Sequence, residues 1–343
     1  MTLHLNRLTT ADVGRWDAFV KAHPDGTFFH LAGWQAVIER AFHHTTYYAF
    51  TERDGLLTGV MPLVHVKSRL FKSALISNAF CVYGGPIATD ATSRAQLVDY
   101  ALAQMERLKV NHVEFRNRRA SEPGWCYKSD LYATFRREIN ADPDVNLMMV
   151  PRKQRAVIRQ SLRNALDVEH HSDISLFYQV YAESVRNLGT PVFSLKYFKI
   201  LASIFSGSSR VTTVYFQGKP VSSVFSFFFR DEVLPYYGGG TVAARSLGAN
   251  DLMYWAVMCD AAANGCRIFD FGRSKLGTGS FNFKKNWGFV AEPLIYEFRL
   301  REPGEIPNVN PLNPKYRLLI EAWKRLPVPV TKFLGPTIAR ELG

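Results

Sequence analysis

Asp270, Arg273, Lys275, Lys284 and Lys285 fall within one stretch that reads Phe269-Asp-Phe-Gly-Arg-Ser274, then Gly277-Thr-Gly279, then Phe281-Asn-Phe-Lys-Lys-Asn-Trp-Gly288. A single acid among several cations suits a site where a proton is moved and a developing negative charge is held. The glycines let the backbone turn tightly or approach a ligand closely. Asp270 is the candidate general base by position, and orienting Arg273 in an ion pair is its other reading. A core strand has no use for so many ionisable groups at its mouth. The plainer alternative is a tight turn with a solvated basic face.

A second cluster is Pro151-Arg-Lys-Gln-Arg-Ala-Val-Ile-Arg-Gln-Ser-Leu-Arg163, basic without one acid. Pro151 suits the first position of a helix. Arg152, Arg155, Arg159 and Arg163 then recur on one helical face, while Val157, Ile158 and Leu162 lie elsewhere and can pack. Such a face fits the phosphates of a nucleotide, a lipid diphosphate or tRNA; a merely solvated face would usually mix in acids. The run follows the turn at Asp142-Pro143 and sets a domain boundary near residue 150.

The elements that must position these groups are organised as a repeat. In the second half, residues 210–217 predict a strand that turns at Gly218-Lys-Pro220. Strands over 221–229 and 234–240 follow, the latter ending in Tyr-Gly-Gly-Gly. An apolar helix over 251–263 closes at Asn264-Gly265, and a strand over 267–271 carries Asp270. The first half has the same order: a strand over 46–51, a turn at Asp54-Gly55, and a strand over 56–66. Val82-Tyr-Gly-Gly-Pro86 mirrors the later Tyr-Gly-Gly, with a helix over 96–108 and a closing strand over 112–115.

Strand, turn, strand, glycine-containing strand, helix, strand is the order of the GNAT acyltransferase core. A tandem pair of such cores with Phe269-Asp-Phe-Gly-Arg-Ser274 and Phe283-Lys-Lys-Asn-Trp-Gly288 resembles the Fem-type aminoacyltransferase superfamily. More narrowly, the chain is similar to the Fem-like proteins encoded with exosortase (PEP-CTERM) and exopolysaccharide systems. Phe28-Phe-His-Leu-Ala-Gly-Trp34 and the short tail from Pro311 to Gly343 agree with that group, and the likeness runs from Phe28 to Phe298.

The resemblance implies an α/β (α+β) fold of two tandem GNAT-like units with a short helical C-terminal tail. The expected domains are 1–150, a unit degenerate for donor binding; 151–303, the active half; and 304–343, a helical basic tail. It implies an acyl- or aminoacyltransferase acting on an amine or hydroxyl of a cell-envelope glycan or its precursor. The alternative is a catalytically degenerate relative that only binds a polysaccharide-assembly partner. No tightly bound cofactor is expected; the co-substrate would be acyl-CoA or aminoacyl-tRNA. Peptidoglycan-acting members of the family can carry a long helical hairpin in the second domain, and no segment here is long and charged enough to form one. They also tend to have a lysine in the helix that here runs from Leu31 to Ala41, where only Arg40 could substitute. Both departures leave the donor and acceptor open.

Residue by residue, the resemblance places Lys284 beside the reacting ester, where a cation would hold the oxyanion or a phosphate; its plainer reading is a surface lysine next to Lys285. Arg245-Ser-Leu-Gly-Ala-Asn250 matches the GNAT loop whose amides cradle a pyrophosphate, so Arg245, Gly248, Ala249 and Asn250 are the expected donor-binding residues. A helix N-terminus adds partial positive charge there. Asn250 departs from the usual small residue and could instead cap the following helix. Tyr237, with Tyr236, could flank the acceptor or simply pack. Arg152, Arg155 and Arg159 are the remaining expected substrate contacts. No Ser-His-Asp or Cys-His arrangement can be assembled from local motifs, which favours direct transfer without a covalent intermediate.

Composition agrees with these expectations. A chain of 343 residues has length for two domains with real cores. Its formal net charge of +12 favours anionic partners. Cys81, Cys126, Cys259 and Cys266 show neither CxxC pairing nor metal-like spacing, so a reduced, metal-free cytoplasmic protein is expected. The apolar and basic tail could rest on an anionic membrane face or pack on its own domain.

Overall fold

The computed structural model describes residues 2–68, 73–306 and 314–341. The chain divides into two units. The first comprises residues 1–131 and 293–309 with the last four residues, and the second comprises 132–292 and 310–339. The division falls after Leu131 rather than near residue 150, because strand Arg136–Glu138 pairs antiparallel with Ile268–Asp270 and so belongs with the second unit's sheet. Strand Ile295–Leu300 in turn pairs with His112–Asn117 of the first unit, which is why residues 293–303 leave the second.

The second unit is built on a six-stranded sheet. Its spatial order is Arg136–Glu138, Ile268–Asp270, Glu232–Gly240, Lys219–Phe229, Ser209–Phe216, Leu166–His171. The expected strands over 210–217, 221–229, 234–240 and 267–271 are all present. Gln217 and Gly218 both have positive φ and make the tight hairpin between the first two. The apolar helix spans Ala249–Ala263, and Gly265, at φ 85°, ends it in the left-handed conformation. One face of the sheet packs this helix in a core with Trp255, Met258, Phe269, Phe271 and Trp287. Helices Ile174–Asn187 and Leu195–Ile204 place Tyr181, Tyr197 and Phe198 around Tyr237 in a second aromatic group.

The glycine-rich strand and the strand of Asp270 run parallel but pair only at Glu232 with Ile268 and Val233 with Phe269. Beyond Val233 the glycine-rich strand stays hydrogen-bonded to its other neighbour, Lys219–Phe229, and no ladder to the Asp270 strand continues. The ladder between them thus ends at Val233 and Phe269, and the wedge is the unladdered edge between Asp270 on one strand and Leu234–Gly240 on the other.

The first unit repeats the plan and then departs from it. Its hairpin turns at Asp54 and Gly55, both at positive φ, and its helix is Ala91–Leu108. The expected strand over 56–66 is broken at Pro62, which has no N–H to donate. Leu56–Met61 joins a four-stranded sheet and Leu63–Val66 a six-stranded one. The parallel partner of the closing strand is Ala74–Ser77, which pairs with His112–Asn117 from Ala74 to Ile76. Val82-Tyr-Gly-Gly-Pro86 is not a strand at all. It belongs to a loop that enters where the second unit has its wedge. The amides of Gly84 and Gly85 both donate to the Arg116 carbonyl at 3.2 Å. The Arg116 guanidinium, paired with Glu114 at 2.7 Å, donates to the Cys81 carbonyl at 2.9 Å. His30 Nε2 lies 2.9 Å from the Gly85 carbonyl, so the Phe-Phe-His segment braces the same plug.

Gly84 has φ 153°, and a Cβ there would lie 2.8 Å from the Ser77 carbonyl oxygen. Gly84→Ala is expected to destabilise the chain by about 1–3 kcal/mol through backbone strain alone. Urea unfolding checks this, and an unchanged midpoint would show that the plug is not tightly held.

Candidate active site

Asp270 ends its strand with a carboxylate only 2 % exposed. Oδ1 accepts the Gly272 amide at 2.7 Å, and Thr134 Oγ1 lies 3.5 Å away. Oδ2 forms an ion pair with Arg136 Nε at 3.2 Å, while Arg136 also pairs with Glu232. Arg136 sits directly opposite Asp270 in the ladder, so the sheet register itself supplies the guanidinium. Burial nevertheless dominates: it raises the Asp270 carboxyl to about 6, against the opposing pull of Arg136 and the Gly272 amide.

The Phe281–Trp287 cluster forms a helix, Gly279–Asn286, capped by Thr278 Oγ1 accepting the Phe281 amide. This helix turns Lys284 inward, leaving it 8 % exposed, and Lys285 outward. Lys284 Nζ donates to the carbonyls of Gly272 at 2.9 Å and Arg273 at 3.2 Å. It lies 5.5 and 5.8 Å from the ring centroids of Phe135 and Phe271. Desolvation lowers its pKa to about 7, with Asp270 opposing and Arg273 adding to the fall. The two residues thus sense each other's charge, and both titrate near neutrality. Gly272 links them, since its amide goes to Asp270 and its carbonyl to Lys284. Its φ of 69° requires the residue without a Cβ.

Arg273 stacks over the Tyr132 ring at 4.5 Å, and Lys275 approaches the same ring at 6.0 Å. Burial, with help from Arg273, lowers Lys275 to about 8. Arg273, Lys275 and Lys284 therefore give this end of the wedge a positive potential suited to a phosphate or an oxyanion. Across the wedge, Gly272 faces the ring of Tyr236.

The other expected residues lie differently. Arg245 is exposed near the end of a short helix, Val242–Leu247. Gly248, at φ 68°, joins that helix to Ala249–Ala263, so Ala249 and Asn250 are the first helical residues and Asn250 is not the cap. The Gly248 amide bonds back to the Arg245 carbonyl, and a Cβ on Gly248 would touch Ser161 of the basic helix. Asp251, in the first turn, puts a buried carboxylate at the helix end expected to cradle a pyrophosphate. Its Oδ1 accepts Trp287 Nε1 at 2.9 Å and Gln154 Nε2 at 2.5 Å. Tyr237 is buried, its hydroxyl 2.5 Å from that of Tyr197, and burial holds its pKa well above the ordinary value.

The basic helix is Arg152–Ser161, with Pro151 as its N-cap. Arg152, Arg159 and Arg163 are exposed. Arg155 turns back and donates to the Met148 and Val150 carbonyls at 3.0 Å each, closing the end of helix Pro143–Met149. Leu162, expected to pack, is exposed. Sequence reading did not single out Arg136, Thr134 or Tyr132. The alternation of Tyr132-Ala-Thr-Phe-Arg136, apolar on one side and polar on the other, was the signal for a strand that could carry them.

Residues 152–285, which hold the wedge, Asp270 and Lys284, match the acetyltransferase (GNAT) domain family. No curated protein matches the chain. The solved structure of FemX is similar over 86% of this chain and 96% of its own, at 14% identity and a TM-score of 0.66. A tandem GNAT protein from the clavulanic acid biosynthesis pathway is similar over 89% of this chain and all of its own, at 11% identity and a TM-score of 0.54. L-PGS from Bacillus licheniformis is similar over 85% and 96%, at 12% identity and a TM-score of 0.51. The GNAT domain match and the shared fold support an acyltransferase on a mixed α/β scaffold of tandem GNAT-like units. Among the described residues, no cluster of His, Cys, Asp and Glu suits a metal ion, and no helix is long and apolar enough to cross a membrane.

The lysine has a pH signature. Between about 7 and its ordinary value of 10.5, unfolded Lys284 is protonated and folded Lys284 is not, so stability rises with pH across that window. Lys284→Met removes this slope. Its stability relative to the parent is therefore expected to fall steadily from pH 7 to 10.5 in urea titrations. Parallel curves for the two proteins would show that Lys284 is not desolvated.

Proposed function

We propose that the second unit transfers an acyl or aminoacyl group to an amine or hydroxyl of a cell-envelope glycan or its precursor. The observation that carries this reading is the buried pair of Asp270 and Lys284, both titrating near neutrality at the end of the wedge. The acceptor N–H or O–H gives its proton to the Asp270 carboxylate as its lone pair attacks the donor carbonyl. The oxyanion so formed meets Arg273 and Lys284, which is a cation below about pH 7, in a site where desolvation strengthens their attraction. When the tetrahedral intermediate collapses, the carbonyl re-forms and the bond to the leaving group breaks. A thiolate from acyl-CoA, or a ribose oxygen from aminoacyl-tRNA, departs and takes up the proton held by Asp270. An amide-bearing donor arm could pair with the edge of Leu234–Gly240 that the Asp270 strand leaves unladdered.

The resemblance to Fem-like proteins of exosortase and exopolysaccharide systems supports a surface glycan as acceptor. The plugged wedge of the first unit supports a division in which that unit is scaffold and the second does the chemistry. One observation favours the competing reading, a binding protein without turnover. The Asp251 carboxylate stands in the first turn of the helix where a CoA pyrophosphate is expected to bind.

Incubation with radiolabelled acetyl-CoA or aminoacyl-tRNA and a panel of glycans, with and without Asp270→Asn, tests the reading. Asp270→Asn is expected to slow transfer by about 100- to 10,000-fold while donor binding persists. Turnover at the parent rate in this variant would remove Asp270 from the chemistry, and no donor binding by the parent would favour the binding protein.

The exposed arginines distinguish the donors. If aminoacyl-tRNA lies along the basic helix, Arg152→Ala with Arg159→Ala should weaken binding of uncharged tRNA and lower the salt dependence by about one phosphate per arginine. Acetyl-CoA binding should then be unchanged. Arg155→Ala, by contrast, is expected to reduce stability by about 1–3 kcal/mol, because it strips the carbonyls that end helix Pro143–Met149.

A further inference from the structure

The tail helices, Pro314–Arg325 and Val328–Arg340, arrange their apolar residues the wrong way round for a helix that only packs on its own unit. The second of them buries its small residues. Thr331, Gly335 and Ala339 face inward, and a Cβ on Gly335 would lie 2.9 Å from the Val192 backbone. Small residues at this spacing form one stripe and allow a close approach. The large residues on the opposite side face solvent: Phe333 is 81% exposed, with Leu334 and Val330 beside it. In the first helix, Ile320 sits against Gly189, while Leu318, 83% exposed, and Leu319 point outward. The helices are fixed to the second unit by other means. Arg186 donates to the Lys324 carbonyl at 3.2 Å, and Lys332 lies 5.2 Å from the Tyr178 ring.

Several large apolar side chains on one exposed pair of helices mark an interaction surface rather than ordinary scatter. The charge of the same segment selects the partner. From Pro314 to Arg340 the sequence carries Lys315, Arg317, Lys324, Arg325, Lys332 and Arg340 against the single acid Glu321. Exposed apolar groups in a segment of net positive charge match a bilayer with anionic headgroups, where the acyl boundary takes Leu318, Leu319 and Phe333 and the charge draws the segment to the headgroups.

We propose that this pair of helices is a docking surface for an anionic phospholipid bilayer, holding the protein peripherally on the membrane. The surface is separate from the wedge and does not rest on the transfer reading.

Co-sedimentation of the full chain with phosphatidylglycerol vesicles and with phosphatidylcholine vesicles tests it. The parent is expected to bind the first and not the second, more weakly as salt rises. Phe333→Ser with Leu318→Ser should reduce binding at least tenfold while leaving donor binding at the wedge unchanged. Because both residues are exposed, thermal unfolding of the variant should match the parent. Equal sedimentation of parent and variant would overturn the proposal. So would a parent that ignores both vesicles but elutes as a dimer that the substitutions dissociate, since the surface would then pair with a second copy.

Discussion

Two opposite charges drawn out of water at the same turn set the terms for the rest of the second unit. Asp270 and Lys284 lie on different elements, a strand end and a short helix, and both are pushed towards their neutral forms by burial. Such a pair persists only where the surroundings satisfy its polar atoms. The Gly272 backbone does so on both sides, with its amide on the acid and its carbonyl on the amine. Arg136 completes the acid's shell because the ladder sets it opposite Asp270. The lysine helix is anchored in turn through Trp287, whose indole N–H reaches Asp251 of the central helix. The helices, the sheet register and one positive-φ glycine thus converge on a single desolvated spot.

Duplication gives this arrangement an internal control. Both units place a parallel strand pair at the same point in the repeat, and in both the ladder is short. In the first, the loop carrying Tyr83, Gly84 and Gly85 bonds to Arg116 and closes the space, with a buried Glu114–Arg116 pair beneath it. Glycines serve close approach in both units, to the protein's own backbone in one and at the edge of the wedge in the other.

Most of the second unit's strands could be read in the sequence because alternation, the turn at Gly218 and the cap at Gly265 are local signals. The inward turn of Lys284 and outward turn of Lys285 were not, since adjacent lysines look alike until a helix separates them. The Tyr-Gly-Gly of the first half misled because glycines also belong to loops; there the long-range bonds to Arg116 determine the structure. Asn250 looked like a cap, but Gly248 takes the left-handed corner between two helices and moves the helix start. Arg155 shared a face with its neighbours by spacing, yet the carbonyls that end the preceding helix draw it aside. Arg136 carries no local signal for a related reason, since its significance lies in pairing with a residue far away in the chain.

Asp270 is desolvated and holds its proton into the neutral range. Carbon-13 NMR of carboxyl-labelled protein, with Asp270→Asn used to assign the resonance, measures this directly. A midpoint near 6 is expected for Asp270. A midpoint at or below the ordinary aspartate value of 3.8 would mean that Arg136 and the Gly272 amide outweigh burial, and would contradict it.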